Sequence, residues 1–100
     1  MSSPPLDRLI HEPARLRLVT LLYVIDEADF VYLSSQTGLT AGNISSHMTK
    51  LEGAGYVEVE KSFVDRKPRT VYHLTDEGRR AVEQYRDTID KMLSGLDGPP

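Results

Sequence analysis

The stretch GLTAGNISSHMTKLEGAGYVEVEK, residues 38–61, joins a helix-like pattern to a strand-like alternation. Within it, Ile44, Met48 and Leu51 recur at spacings of four and three. Such spacing predicts the buried stripe of a helix over about residues 41–53. Only one face of this helix is apolar, so the residues on its other side need a separate explanation.

The outward face of this helix consists of short polar residues and one lysine, without an acidic group. Ser, Thr, Asn and Gly are mediocre helix formers, and a solvated face would more often use Glu, Lys, Ala or Gln. Short side chains without negative charge suit a helix that approaches base edges and phosphates in the DNA major groove. A plain solvent-facing surface is the alternative. Including the expected N-cap Thr40, the candidate DNA-binding residues here are Thr40, Gly42, Asn43, Ser45, Ser46, His47, Thr49 and Lys50.

The residues before this helix predict further helices. LDRLIHE, residues 6–12, has the pattern of one helical piece, and Pro13 suits the first turn of the next helix. Apolar residues then recur at helical spacing until DEAD ends that helix. FVYLSSQ, residues 30–36, is either a short helix or a strand running into one, closed by Gly38 as C-cap. Two short helices joined by GLT predict a helix-turn-helix.

After the helix-turn-helix, residues 56–74 predict a β-hairpin. YVEVEKS and RTVYHL both alternate with period two, and Asp65 and Pro68 between them are turn formers. A helix-turn-helix followed by a hairpin with a basic tip is a winged helix, so the predicted fold is mainly α with a small hairpin, an α+β class. In this wing, residues 61–70, the candidate DNA-binding residues are Arg66, Lys67 and Arg69.

A last helix is predicted over residues 75–93, with Thr75 as its cap. Its apolar residues recur at intervals of three and four, close to the pattern of a coiled-coil seam. In a two-fold dimer, the two copies of the helix at residues 41–53, the proposed reading helix, would lie about one DNA turn apart. The alternative is that the stripe packs on its own domain. The candidate dimer-interface residues are Leu6, Leu9, Ile10, Val82, Tyr85, Ile89 and Met92.

Three segments together resemble the MarR-like and ArsR-like regulators. LIHEPARLRLVTLL looks like their opening, GLTAGNISSHMTKLEGAGYVEVEK is similar to their reading-helix segment, and YHLTDEGRRAVEQY resembles the LTxxGR entry into the helix after the wing. The resemblance covers about residues 6–90 and is closest to small stand-alone winged-helix proteins with a C-terminal helix. It implies a cytoplasmic, dimeric transcription regulator, usually a repressor. The chain lacks the cysteines of the metal-sensing ArsR branch.

Composition and charge limit the number of domains, the partners and the location that can be expected for the chain. One hundred residues with 39% apolar content predict a single domain, here residues 6–93, with flexible tails at 1–5 and 94–100. The net charge of −3 is unfavourable for DNA binding, but residues 31–74 hold five basic and four acidic groups and are the positive part of the chain. No apolar run could cross a membrane and no secretory signal is present, so we expect a cytoplasmic protein.

The sequence offers little for catalysis or cofactors. Ser46 and His47 are helix neighbours that point in different directions, and no phosphate-binding glycine loop is present. The histidines lack metal-ligand spacing, so we expect no enzyme activity, no metal and no cofactor. The expected partners are double-stranded DNA, a second copy of the chain and, on family grounds, an unidentified small-molecule effector. The alternative function is a winged helix that binds proteins without binding DNA.

Overall fold

A computed structural model of the chain describes residues 5–98. Within this range four α-helices and three strands form one winged-helix unit with an added C-terminal helix. The strands form an antiparallel sheet in the order β1-β3-β2. The elements are α1 (Pro13–Ile25), β1 (Glu27–Asp29), α2 (Phe30–Thr37), α3 (Ala41–Gly53), β2 (Val57–Val64), β3 (Lys67–Leu74) and α4 (Asp76–Ser94), followed by one 3₁₀ turn, Gly95–Asp97. The predicted α+β winged-helix fold is confirmed.

Caps predicted from the sequence set the ends of three helices. The side-chain oxygen of Thr40 accepts a hydrogen bond from the backbone N–H of Asn43, and that of Thr75 accepts one from Gly78. These bonds satisfy amide groups that have no partner inside the helix. Gly38 ends α2 with φ of 73°, a left-handed conformation that glycine adopts without steric cost. α3 and α4 therefore start where the sequence places them.

The helix predicted over LDRLIHE is not formed. Residues 8–12 make turns and bends, because one carboxylate oxygen of Asp7 accepts hydrogen bonds from the backbone N–H groups of Leu9 and Ile10. Such local bonds compete with helix formation. The other oxygen accepts a 2.5 Å bond from the Tyr56 hydroxyl, which raises the pKa of that tyrosine to about 12. This anchored turn inserts Ile10 into the core, where its side chain is wholly buried.

The strand β1 has no signal in its sequence. EAD lacks both β-branched residues and alternation, so DEAD was expected only to end a helix. The three residues form a strand because they pair with the edge of β3, in the register Glu27 to His73 through Asp29 to Val71. β1 therefore owes its conformation to tertiary pairing. It covers the inner half of β3 and leaves the outer half of the hairpin two-stranded.

The hairpin of β2 and β3 has a two-residue turn. Asp65 and Arg66 both have positive φ, 51° and 66°, as in the type I′ turn that matches the twist of paired strands. Pro68, expected in the turn, instead lies in β3 opposite Phe63. A proline is tolerated there because β1 reaches only residues 71–73, so no strand needs its missing N–H. The outer hairpin thus projects as a wing.

The core lies between the helices and the inner face of the sheet. Its buried members come from every element and from the turn that precedes α1; they are Ile10, Leu18, Val19, Leu22, Ala28, Leu33, Ile44, Met48, Leu51, Val57, Tyr72, Leu74 and Val82. Of the tails predicted at 1–5 and 94–100, residues 1–4 and 99–100 lie outside the described residues, and residues 94–97 complete α4 and its 3₁₀ turn. Among residues 5–98, no helix is both long and apolar enough to span a membrane.

Candidate nucleic-acid interface

α3 separates its two faces sharply. Ile44, Met48 and Leu51 are at most 1% exposed and attach the helix to the core. The polar residues on its other sides are short, so the backbone of the helix lies close to the surface. Most of the residues predicted to contact DNA are indeed exposed on this helix, namely Thr40, Gly42, Asn43, Ser45, Ser46, Thr49 and Lys50. No carboxylate interrupts this exposed surface between residues 40 and 50.

His47 is the exception among the predicted reading residues. Its Nδ1 accepts a 3.1 Å hydrogen bond from the Arg15 guanidinium and lies 3.8 Å from Oε2 of Glu12, so its side chain is only 19% exposed. The pKa of Glu12 is lowered, mainly because its carboxylate accepts a hydrogen bond from the backbone N–H of Arg15. This cluster fixes α3 against the start of α1. His47 is therefore only partly exposed, at the edge of the polar face, and a role for it in DNA contact stays a prediction.

The three predicted wing cations are exposed, but they differ in their surroundings. Arg66 lies in the hairpin turn, and Lys67 follows it as the first residue of β3. One guanidinium nitrogen of Arg69 lies 3.8 Å from a carboxylate oxygen of Asp29, the residue that caps α2. Arg69 is thus partly engaged within the chain. Arg66 and Lys67 form the basic tip that the sequence predicted.

A cleft of about 340 Å³ separates α3 from the inner surface of the hairpin. Lys61, from β2, lines this cleft together with Ser45 and Thr49 from α3. Lys61 is not among the residues predicted from the sequence, and the alternation of β2 alone does not tell which face of the hairpin meets the helix. The same cleft is also lined by Glu52 and Tyr72. The pKa of the Tyr72 hydroxyl is raised, mainly because the residue is buried and further because of the negative charge of Glu52.

The predicted dimer residues do not share one surface. Ile10 is wholly buried in the monomer, so its assignment to an interface between chains is corrected. Val82 also belongs to the core, and Leu9 packs partly buried against it. Tyr85 is half-buried and forms a 2.8 Å hydrogen bond through its hydroxyl with Nδ1 of His11. Of the remaining positions, Leu6 and Ile89 are half-buried and Met92 is exposed.

An apolar groove of about 470 Å³ runs between α1 and α4. Tyr23 donates a 2.7 Å hydrogen bond to the carboxylate of Glu83 at its rim, which raises the pKa of Tyr23. The floor and sides come mainly from apolar side chains. The lining residues are Leu16, Thr20, Tyr23, Val24, Val82, Glu83, Tyr85, Arg86 and Ile89.

The family of this chain is shown by its sequence. A family described as a winged helix DNA-binding domain matches residues 14–93, which include the helix-turn-helix, the wing and nearly all of α1 and α4. The chain belongs to this winged-helix family. Its family and its structural relatives are DNA-binding transcriptional regulators rather than enzymes, in agreement with the function class predicted from the sequence.

Similar proteins cover nearly the whole chain. An uncharacterized protein of Methanocaldococcus jannaschii is 33% identical over 90 residues, which are 90% of this chain and 98% of that protein. The solved structure of a transcriptional regulator homologue from Pyrococcus horikoshii is 32% identical with a TM-score of 0.85, covering 91% of this chain and 90% of that one. Both matches therefore extend over nearly the whole length of this chain and of the similar protein.

Larger regulators contain the same fold. NadR, solved in complex with 4-hydroxyphenylacetate, is 25% identical with a TM-score of 0.72, and the match covers 92% of this chain and 64% of NadR. MarR itself has a TM-score of 0.74 at 17% identity, a likeness of fold alone, over 92% of this chain and 68% of MarR. The predicted MarR-like character is confirmed at the level of the fold.

Proposed function

We propose that the protein is a homodimeric repressor that binds an inverted-repeat operator through α3 and the wing. The observation that carries this proposal is the exposed surface of α3 at residues 40–50, which contains no acidic residue. Asn43 and Ser46 lie in the first turns of α3, and both are exposed. The first turns of a reading helix are those that meet base edges, and an Asn side chain can hold adenine through two hydrogen bonds. Lys50, one turn later, suits a phosphate contact.

Dimerisation is proposed through α4. Beyond Ile89, α4 carries Met92 and Leu93, and the 3₁₀ turn after it carries Leu96; these side chains are 54%, 55% and 81% exposed. Met92 and Leu93 lie about one helical turn beyond Ile89, which lines the groove between α1 and α4. A second copy that covers these exposed side chains would bury apolar surface, and its two-fold symmetry would fit an inverted repeat. Repression follows if the bound dimer excludes other proteins from the same DNA.

A small-molecule effector would have a suitable place in the groove between α1 and α4. NadR was solved with 4-hydroxyphenylacetate, an aromatic carboxylate. In this chain the groove combines apolar walls with polar groups at its edge, namely Arg86 and the Tyr23 hydroxyl, which donates a hydrogen bond to Glu83. Such a composition suits a small aromatic ligand with a polar substituent. A regulator of DNA acts where the chromosome is, so we propose a cytoplasmic location.

Selection from random duplex DNA with purified protein tests the proposed function. Enrichment of an inverted repeat is expected, with each half-site read by one α3. Recovery of a single, unrepeated site would contradict the two-fold arrangement. Failure to enrich any sequence, in a protein that melts cooperatively, would favour the alternative in which the winged helix binds proteins without binding DNA.

A further inference from the structure

The side of the wing that faces α3 differs from the side that carries the predicted cations. Side chains alternate between the two faces of a strand, so residues two apart along β2 share a face. Val59 and Lys61 line the cleft toward α3, and by this alternation Phe63 lies on the same face. Val64 belongs to the opposite face, with its cross-strand neighbour Lys67.

Lys61 is the cation of this inner face. Among residues 5–98 no carboxylate oxygen lies within 4.0 Å of its ammonium, although carboxylates pair with Arg69 and Lys91. Across the cleft, the hydroxyl proton of Thr49 is committed to the backbone oxygen of Ser45 at 2.9 Å. The Ser45 hydroxyl remains as the donor on the α3 side. The residues that line the cleft thus include one with an ammonium group, from β2, and one with a hydroxyl donor, from α3.

Phe63 is the exposed aromatic side chain of the same face. It is 76% exposed and its cross-strand neighbour is Pro68, so an apolar pair stands at the outer end of the cleft. Phe63 lies two residues beyond Lys61, roughly 7 Å along the strand. One extended polymer could contact both side chains. The chemistry required is a negative charge opposite Lys61 and an apolar surface opposite Phe63.

We propose that the cleft between α3 and β2 receives the DNA strand that separates the major from the minor groove, with one phosphate at Lys61 and Ser45 and a neighbouring sugar against Phe63. This proposal rests on the proposed function. A reading helix in the major groove and a wing at the minor groove leave that strand between them. Glu52, next to Tyr72 at the inner end, repels phosphate and limits how deeply the strand can enter.

Lys61→Ala is compared with Lys91→Ala, which removes the same charge from α4, where Lys91 pairs with Asp87 at 3.1 Å. Binding to the selected duplex is titrated at several salt concentrations. Lys61→Ala should reduce the slope of log affinity against log salt by about 0.9, the value for one phosphate contact, and Lys91→Ala should not. Equal slopes for wild type, Lys61→Ala and Lys91→Ala would overturn the phosphate contact.

Phe63→Ala is compared with Val64→Ala on the opposite face. Loss of an apolar contact should weaken binding by on the order of tenfold without changing the salt slope, whereas Val64→Ala should bind like wild type. Equal losses in both variants would overturn the sugar contact. If wild-type protein binds no duplex, the proposed function fails; if it binds but Lys61→Ala and Phe63→Ala match their controls, only the cleft proposal fails.

Discussion

The helices α3 and α4 have similar spacing of apolar residues, but they differ in how much of that apolar stripe is buried within the monomer. In α3 the stripe of Ile44, Met48 and Leu51 is buried entirely within its own chain. In α4 the stripe divides, because Val82 is buried in the monomer whereas Met92 is 54% exposed. Helical spacing thus identifies the residues that avoid water, but it does not identify the chain that covers them. The outward face of α3 and the end of α4 are therefore the two surfaces on which function is proposed.

The largest expected effect on the stability of the fold comes from replacing a glycine by alanine in each of the two helices. A Cβ at Gly78, at the start of α4, would lie 2.3 Å from the backbone oxygen of Tyr56 and 2.8 Å from Cδ1 of Leu74. A Cβ at Gly42, in α3, meets no atom within 4 Å. Gly78→Ala should lower the free energy of unfolding by about 1–3 kcal/mol, because the backbone at Tyr56 or at the start of α4 must move to make room for the new Cβ. Gly42→Ala should stabilise it by roughly 0.5–1 kcal/mol.

Thermal or urea unfolding of both variants tests this pair. A Gly78→Ala protein as stable as wild type would mean that α4 is not held as closely to the hairpin base as the structure has it. Gly42→Ala also separates folding from binding. If DNA approaches the α3 backbone closely, the stabilised variant should bind the selected duplex more weakly than wild type, and unchanged affinity would place the DNA farther from this residue.

The second prediction concerns the exposed end of α4. Met92→Asp changes a residue that contributes little to the monomer, so the variant should stay folded. A charge placed in the proposed pairing surface costs several kcal/mol per buried ion, and the dimer should therefore dissociate. Ile89→Asp should both dissociate the dimer and lower stability, since Ile89 is half-buried in the groove.

Light scattering of wild type and both variants, with a melting curve for each, measures these outcomes. A wild-type protein that is monomeric at micromolar concentration would contradict pairing through α4. A dimeric Met92→Asp protein would instead move the interface away from the end of this helix. In either case the assignment of the α3 face to DNA would remain open to its own test.

The sequence predicted elements wherever local chemistry determines them. Thr40, Gly38 and Thr75 mark helix ends because capping bonds and left-handed φ depend on the residue at that position. β1 was missed because EAD becomes a strand only by pairing with β3. The helix expected at residues 6–12 was wrong because the Asp7 carboxylate binds nearby backbone amides instead.

The sequence predicted the part of the candidate site that depends on local helix geometry. Exposure of Asn43, Ser46 and Lys50 follows from helical rotation relative to a buried stripe. The inward position of His47 follows from Arg15, which is 32 residues away in the chain, and no local pattern contains that contact. The role of Lys61 depends on which face of the hairpin meets α3, which the alternation of β2 leaves open.

The most direct test of the central claim, that the outward face of α3 reads DNA, is a pair of titrations on selected and scrambled duplex. Asn43→Ala should cost about 1–3 kcal/mol on the selected duplex and reduce the preference for it, because a base contact is lost. Lys50→Ala, the matched phosphate-contact variant, should weaken both duplexes alike. Both variants should melt like wild type, since neither residue is in the core. Wild-type affinity for the selected duplex in both Asn43→Ala and Ser46→Ala would contradict the assignment of α3 as the reading helix.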